Sequence, residues 1–463
     1  MNLIKPALII FLALAAAGCG RSVPPQQSAN ETKPAAPVEQ ALAFDPLTLM
    51  LMPQVGDSRT DKEIRRYQDK VRQGENLDTS VEKLGWLFIA KARESFDPGY
   101  YKFAALCADV LETNTPGCSP ALLLHGYVLE NLHRFQEAEP LARQLVTTRG
   151  LPFDFGLLGD SLMEQGKLAE AVKAYQSMVD LRPDLESYAR VAHIRWLKGD
   201  AEGAIEMMRA AVSASSPRDP DSAAWVNTRL AVLEFQSGKT DGAQTAAAAA
   251  LEVRPNYPPA LLLRGRMFLA ENNFEQAVAT LETAMKANPL PEYQWALAEA
   301  LRGAEREPEA TDLESNLRAA GAANDPRTFS LFLATRGEEV ATALRLAKTE
   351  FQQRQDVFTQ DALAWALAAN GQTAEARKHM ALAVAESTED ARLFFHAAAI
   401  AHQAGQDDEA QTWFTRAAGS MQTLLPSERQ RLLQLAENFP ADSQTSLIGT
   451  ATSSQGSSLT AGK

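Results

Sequence analysis

The sequence predicts an all-α protein built as a solenoid of about ten helical hairpins. Three observations carry this. Alanine recurs at Ala138, Ala171, Ala204, Ala243, Ala277, Ala310, Ala343, Ala376 and Ala410, at spacings of 33, 33, 39, 34, 33, 33, 33 and 34 residues. Self-similarity at a fixed period of this size is the mark of a repeat architecture. Glycine recurs just ahead of that alanine, at Gly166, Gly199, Gly238, Gly371 and Gly405, and proline closes several units at Pro183, Pro255 and Pro289. Alanine is abundant while Val and Ile are sparse, which favours helices over sheets.

The 463 residues are 45% apolar and 22% charged, values of an ordinary folded chain and not of a disordered one. A net charge of −13, from 45 basic and 58 acidic residues, argues against a nucleic-acid binder. Three cysteines and six histidines leave little for a metal cluster.

The chain divides in order. Residues 1–18 read as a signal segment, with Lys5 as its basic start and Ala7 to Ala17 as an apolar core too short to span a membrane. The run Ala16-Ala17-Gly18-Cys19 resembles the bacterial lipobox, although Ala16 stands where leucine is usual. The resemblance implies that Cys19 carries lipid and becomes the mature N-terminus; the plain alternative is an ordinary secretory signal. Gly20 follows the cysteine instead of the aspartate that retains lipoproteins at the inner membrane, so the expected location is the outer membrane, facing the periplasm. Residues 19–43, rich in Pro, Gln, Ala and Ser, read as a tether. Residues 44–77 read as an N-terminal cap region, in which 59–73 form a polar helix over the first hairpin. The solenoid spans 78–420. Residues 421–440 hold a second cap helix over 426–438, with Ser427 placed as its N-cap, and 441–463 read as a disordered Ser/Thr/Gly tail.

One unit shows the repeat most plainly: Phe155, Leu158, Gly159, Leu162, Gly166, Ala171, Tyr175, Met178, Pro183. This resembles the tetratricopeptide repeat, W-x2-L-G-x2-Y…A-x3-F…P, with conservative replacements. Alanine lets the two helices of a hairpin approach closely. Glycine supplies a left-handed turn, and proline ends the second helix. One hairpin cannot bury its apolar face alone, so the resemblance implies stacking into a right-handed superhelix. In the first unit Gly85 and Ala104 match the pattern, and RESFDPGYY reads as a turn about seven residues too long. The run SASSPRDPDS reads as the long loop behind the 39-residue interval. The segments KARESFDPGYY, VDLRPDLESYARVAHIRWLKGD and DALAWALAANGQTAEARKHMALAV resemble exported bacterial repeat proteins without an established activity.

No motif for catalysis, cofactor or metal appears: there is no HExxH, G-x-S-x-G, P-loop or GxGxxG. His396 and His402, six apart on one helix, point different ways, and Glu338-Glu339 suit a helix dipole better than acid–base work. With Cys19 lipidated, Cys107 and Cys118 are the remaining thiols. Either they form a disulfide in an oxidising compartment, or Cys107 packs as a small apolar residue and Cys118 stays free.

In the resembled family the concave groove, lined by the first helices, binds partners. Its fifth and ninth positions here read Leu123 and Tyr127, Gly156 and Asp160, Ala189 and His193, Thr228 and Val232, Leu262 and Arg266, so the carboxylate clamp for chaperone tails is missing. Candidate groove residues are Tyr127, Arg190, His193, Trp196, Trp225, Arg266, Trp295, Trp365 and Phe395. Two readings stand: rings that grip an extended client segment, or rings packed between neighbouring first helices. The expected function is a non-catalytic protein-binding scaffold with envelope proteins as clients and no cofactor. A glycan- or cell-wall-binding element using the same rings is the alternative.

Overall fold

A computed structural model describes residues 45–439. The signal segment, Cys19, the tether and the tail lie outside the described residues.

Among the described residues there are 23 α-helices and one turn of 3-10 helix. Two short elements come first, α1 (Pro46–Met50) and α2 (Arg59–Arg72). Then come ten hairpins. The first four are α3 (Leu77–Ser95) with α4 (Gly99–Asn114), α5 (Ser119–Asn131) with α6 (Phe135–Thr148), α7 (Pro152–Glu164) with α8 (Leu168–Leu181), and α9 (Leu185–Leu197) with α10 (Ala201–Ser213). The next three are α11 (Pro220–Gln236) with α12 (Thr240–Val253), α13 (Pro258–Ala270) with α14 (Phe274–Ala287), and α15 (Pro291–Gly303) with α16 (Glu307–Asn324). The last three are α17 (Pro326–Arg336) with α18 (Val340–Gln353), α19 (Val357–Ala369) with α20 (Thr373–Val384), and α21 (Ala391–Gln403) with α22 (Asp407–Gly419). A 3-10 turn at Met421–Thr423 leads to α23 (Pro426–Ala436).

The periodic residues do the work assigned to them. All nine recurrent alanines are 0% exposed, each at a helix crossing where a larger side chain would push the backbones apart. From the second hairpin onward every turn holds a residue in the left-handed region with φ between 56° and 79°, and the α17–α18 turn adds Glu339 at 42°. Glycine occupies six of these nine positions, while His133, Asn272 and Glu305 occupy the others. From α5 onward, first helices start from aspartate caps at Asp184, Asp219, Asp325, Asp356 and Asp390, or carry proline in their first turn. The crossing of α7 and α8 shows the packing in detail. A Cβ on Gly159 would fall 2.3 Å from the Tyr175 ring, and the Tyr175 hydroxyl donates to Asp160 Oδ1 at 2.7 Å.

Helix α2 is closed by a reciprocal Ser58–Asp61 capping box and buries Ile64 and Val71. Lys91 on α3 reaches Asp61 at 2.8 Å, and Gln68 donates to the carbonyls of Met50 and Met52.

Three local expectations fail. The segment RESFDPGYY is not a long turn: α3 continues to Ser95 and α4 begins at Gly99, because Phe96 takes a left-handed φ of 56° and reverses the chain at once. The extra residues behind the 39-residue interval go partly into the 214–219 loop and partly into α11, which runs 17 residues. Ser427 does not cap α23: Glu428 accepts from the Leu425 N–H, while the Ser427 hydroxyl donates to Glu299, 128 residues away.

That last contact belongs to a larger feature. The solenoid comes back on itself. Gln355 N–H donates to the Glu164 carbonyl at 2.8 Å, and Arg354 pairs with the Glu164 carboxylate at 2.5 Å. The Thr388 hydroxyl donates to the Leu197 carbonyl at 2.6 Å. Arg254 donates to the Glu94 carbonyl at 2.6 Å. Gly166 and Gly199 therefore serve twice: they turn the hairpin, and a Cβ there would meet the carbonyl oxygens of Gln355 and Ser387 at 2.7 and 2.8 Å.

Candidate functional site

First helices line the concave face, and its first stretch runs from α3 to α9. Arg93 is exposed; it lies over the Tyr127 ring at 5.2 Å and hydrogen-bonds its hydroxyl. Trp86 meets Tyr127 edge-on at 5.3 Å. Arg190 forks onto Asp160, with Nε 2.9 Å from both carboxylate oxygens, and its side chain stays 22% exposed. That charge-assisted pair holds Arg190 above its ordinary pKa against the cost of burial. Glu130 sits beside them with Oε1 buried and unpartnered. Burial, then the neighbouring Asp160 charge, pushes its carboxyl well above the usual range.

The stretch from α13 to α21 is different, because α23 lies across it. Arg429 donates to the Leu269 carbonyl at 2.7 Å. Ser427 N–H donates to Glu299 at 3.0 Å, and Glu428 pairs with Arg392 at 2.6 Å. Arg431 donates to the Thr335 carbonyl and sits 5.5 Å over Trp365. Arg266, besides facing Glu292 at 3.3 Å, donates to the Thr423 carbonyl at 2.7 Å. A helix of this chain thus fills the groove that five consecutive first helices build.

The candidate rings follow this division. Trp295 is 1% exposed, donates to Glu299 at 3.1 Å and meets Phe332 edge-on at 5.7 Å. Trp365 is 6% exposed, donates to Thr335 Oγ1 at 3.0 Å and stacks on His396 at 4.1 Å. Phe395 is buried beside it at 5.4 Å. Trp196 is buried in the contact between turns, stacked on Phe358 at 5.5 Å, and its indole N–H donates to the Glu389 carbonyl. The expectation that these four rings face an open channel is corrected: they are core, with partners up to 193 residues distant. Trp225 alone among the candidate tryptophans is exposed, at 42%.

Of the two readings for the cysteine pair, the structure has the second. Cys107 and Cys118 are both free. Cys107 is buried with Sγ 3.6 Å from the Met50 sulfur, and burial pushes its thiol up. Cys118 precedes α5, with Sγ 3.8 Å from the Leu111 carbonyl. His396 binds Asp361 at 2.8 Å and His402 binds Asp407 at 2.8 Å, so each has its own carboxylate. Glu338 pairs with Arg318, and Glu339 takes a left-handed φ of 42° just before α18.

Between the two stretches the closed turn leaves a cavity of about 370 Å³. His193, Trp196, Arg229, Trp295 and Phe358 line it, together with charged residues from α7 to α21. His193 Nδ1 meets Arg229 Nη2 at 3.2 Å. Burial, helped by that guanidinium, pushes His193 down to about 3, so its ring is neutral. Arg229 and the self-contact around it went unread in the sequence. Their partners lie far along the chain, and one arginine on a helix looks like any other.

Family models of the tetratricopeptide repeat match residues 157–223 and 234–301. No curated protein matches the chain. Among solved structures, the crystal structure of MamA is similar over 35% of this chain and 94% of its own, at 16% identity and a TM-score of 0.29, a likeness too slight to bear on function. The matched segments fall on α7 to α10 and α11 to α15, inside an unbroken run of hairpins with buried crossing alanines and left-handed turns; the chain carries tetratricopeptide repeats.

Proposed function

We propose that the protein is a non-catalytic interaction scaffold, held to the bacterial envelope by lipid on Cys19 and facing the periplasm from the outer membrane. Its clients are envelope proteins. The repeat architecture supports a protein-binding role, and the lipobox-like run before Cys19 supports the anchor. The observation that supports a position for the client is the contrast along the concave face. The stretch from α13 to α21 is covered by α23, whereas Arg93, Tyr127 and Arg190 on α3, α5 and α9 retain access to solvent. A client segment therefore docks on the first stretch, its carboxylates and carbonyls meeting Arg93 and Arg190 and its apolar groups meeting Tyr127. Four of the rings that would have served a glycan, Trp196, Trp295, Trp365 and Phe395, are buried, which weakens the glycan reading.

A photo-crosslinking residue placed at Tyr127 should capture a defined envelope protein in cells, and one placed at Trp365 should not. Capture at Trp365 with none at Tyr127 would overturn the assignment of the docking stretch. Cys19→Ala should release the protein from the outer-membrane fraction; a variant that still sediments there would show that the anchor lies elsewhere.

A further inference from the structure

Around the cavity the charges pair off, with one exception. Arg354 meets Glu164 at 2.5 Å and Asp356 at 3.2 Å. Arg327 reaches Asp356 at 3.4 Å, Arg266 faces Glu292 at 3.3 Å, and Arg392 holds Glu428 at 2.6 Å. Asp361 is held by His396 at 2.8 Å. Asp390 accepts the N–H groups of Arg392 and Leu393 at 2.9 and 3.2 Å. Arg229, among the described residues, has only the neutral ring of His193, at 3.2 Å. Burial lowers its pKa, and no carboxylate acts against that. A guanidinium partly withdrawn from water without an anion is costly, and its planar fork matches a carboxylate.

Size and surroundings narrow the ligand. A cavity of about 370 Å³ is at the lower end for small-molecule sites. Five arginines line it (229, 266, 327, 354 and 392) against five carboxylates (164, 292, 356, 361 and 390), so the lining has no excess of positive charge to hold a polyanion. Trp196 and Phe358, stacked at 5.5 Å, offer an apolar wall.

We propose that this cavity binds a small monocarboxylate, with its carboxylate on the Arg229 guanidinium and its apolar body against Trp196 and Phe358. The site goes beyond the scaffold function and does not depend on it.

Calorimetric titration of the full chain in detergent with phenylacetate, phenylacetamide and acetate tests this. Phenylacetate should bind at one site per chain, with the amide and acetate each at least about ten-fold weaker, since a lost charge-assisted hydrogen bond or a lost ring costs more than the 1.4 kcal/mol of a decade. Arg229→Gln should weaken phenylacetate by about ten-fold or more. It removes an unpaired, half-buried charge, so its melting temperature should hold or rise, which separates lost binding from lost folding. The proposal is overturned if phenylacetate shows no saturable binding, if the amide or acetate matches it, or if Arg229→Gln binds phenylacetate as the parent does.

Discussion

The concave face is polar and half-exposed at Tyr127, Asp160 and Arg190, aromatic and covered from α13 to α21. The same repeat builds both. On the first stretch Asp160 and Arg190 satisfy each other and keep side chains 17% and 22% exposed. On the second, Trp295 and Trp365 are 1% and 6% exposed and their indole N–H groups are spent on Glu299 and Thr335. Equivalent groove positions therefore carry opposite duties. What decides between them is whether another part of the chain arrives to cover them. An aromatic residue at a groove position marks burial as readily as binding, because a ring stabilises whichever apolar contact it is offered.

The sharpest test of this contrast is Trp295→Ala. A buried tryptophan of this kind should cost about 3–5 kcal/mol in denaturant unfolding, whereas Tyr127→Ala should cost clearly less. Equal losses would mean that the two stretches are packed alike.

The turn glycines give a second, smaller contrast. Gly371→Ala and Gly405→Ala should cost about 1–2 kcal/mol each, the price of a left-handed alanine, since nothing lies within 4 Å of the added Cβ. Gly166→Ala and Gly199→Ala should cost about 1–3 kcal/mol more, because the added methyl strikes a carbonyl of the facing turn. Melting curves of the four variants check the order, and four equal shifts would argue that the turns do not touch in solution.

Two groups of the first stretch should also respond oppositely to pH. Folding keeps Glu130 protonated where the unfolded chain ionises it, so the folded state holds more protons and stability falls as pH rises above the ordinary carboxylate range. Glu130→Gln should raise the melting temperature at pH 8 and change little at pH 4. His193 on the cavity, pushed down to about 3, holds fewer protons than in the unfolded chain, so its contribution is lost as pH falls from about 6.5 towards 3. His193→Gln should flatten that acid limb.

The smallest effect should come from Glu305→Gly. It relieves a left-handed residue with φ of 60° at an exposed turn and should gain up to about 1 kcal/mol. A loss there would mean that the Glu305 side chain does something its exposed position does not suggest.

Most of what is local was legible, the sharp reversal at Phe96 excepted. The alanines, the turn glycines and the closing prolines each state a constraint that one hairpin imposes on itself. The helix ends at α2 and α23 could also be placed, because caps and charge lie within a few residues. Ser427 shows where such reading ends. Its position before an amphipathic run is that of an N-cap, yet its hydroxyl is claimed by Glu299 through a contact that no periodicity encodes. The groove rings fail in the same way: Trp196 meets Glu389 and Phe358, and nothing near Trp196 in the chain announces either. Pairing across 150 to 190 residues depends on the accumulated rotation of every hairpin between, and a single sequence does not display that rotation.

The contacts between turns have a consequence for how such a gene can change. Repeat arrays ordinarily gain and lose units freely, since each unit touches only its neighbours. Here Leu197 meets Thr388, Glu164 meets Gln355, and Glu94 meets Arg254. Duplicating or deleting one hairpin within those spans would set each of these partners a full unit out of register. The number of repeats is therefore fixed by closure, and the chain is free to drift in sequence but not in count.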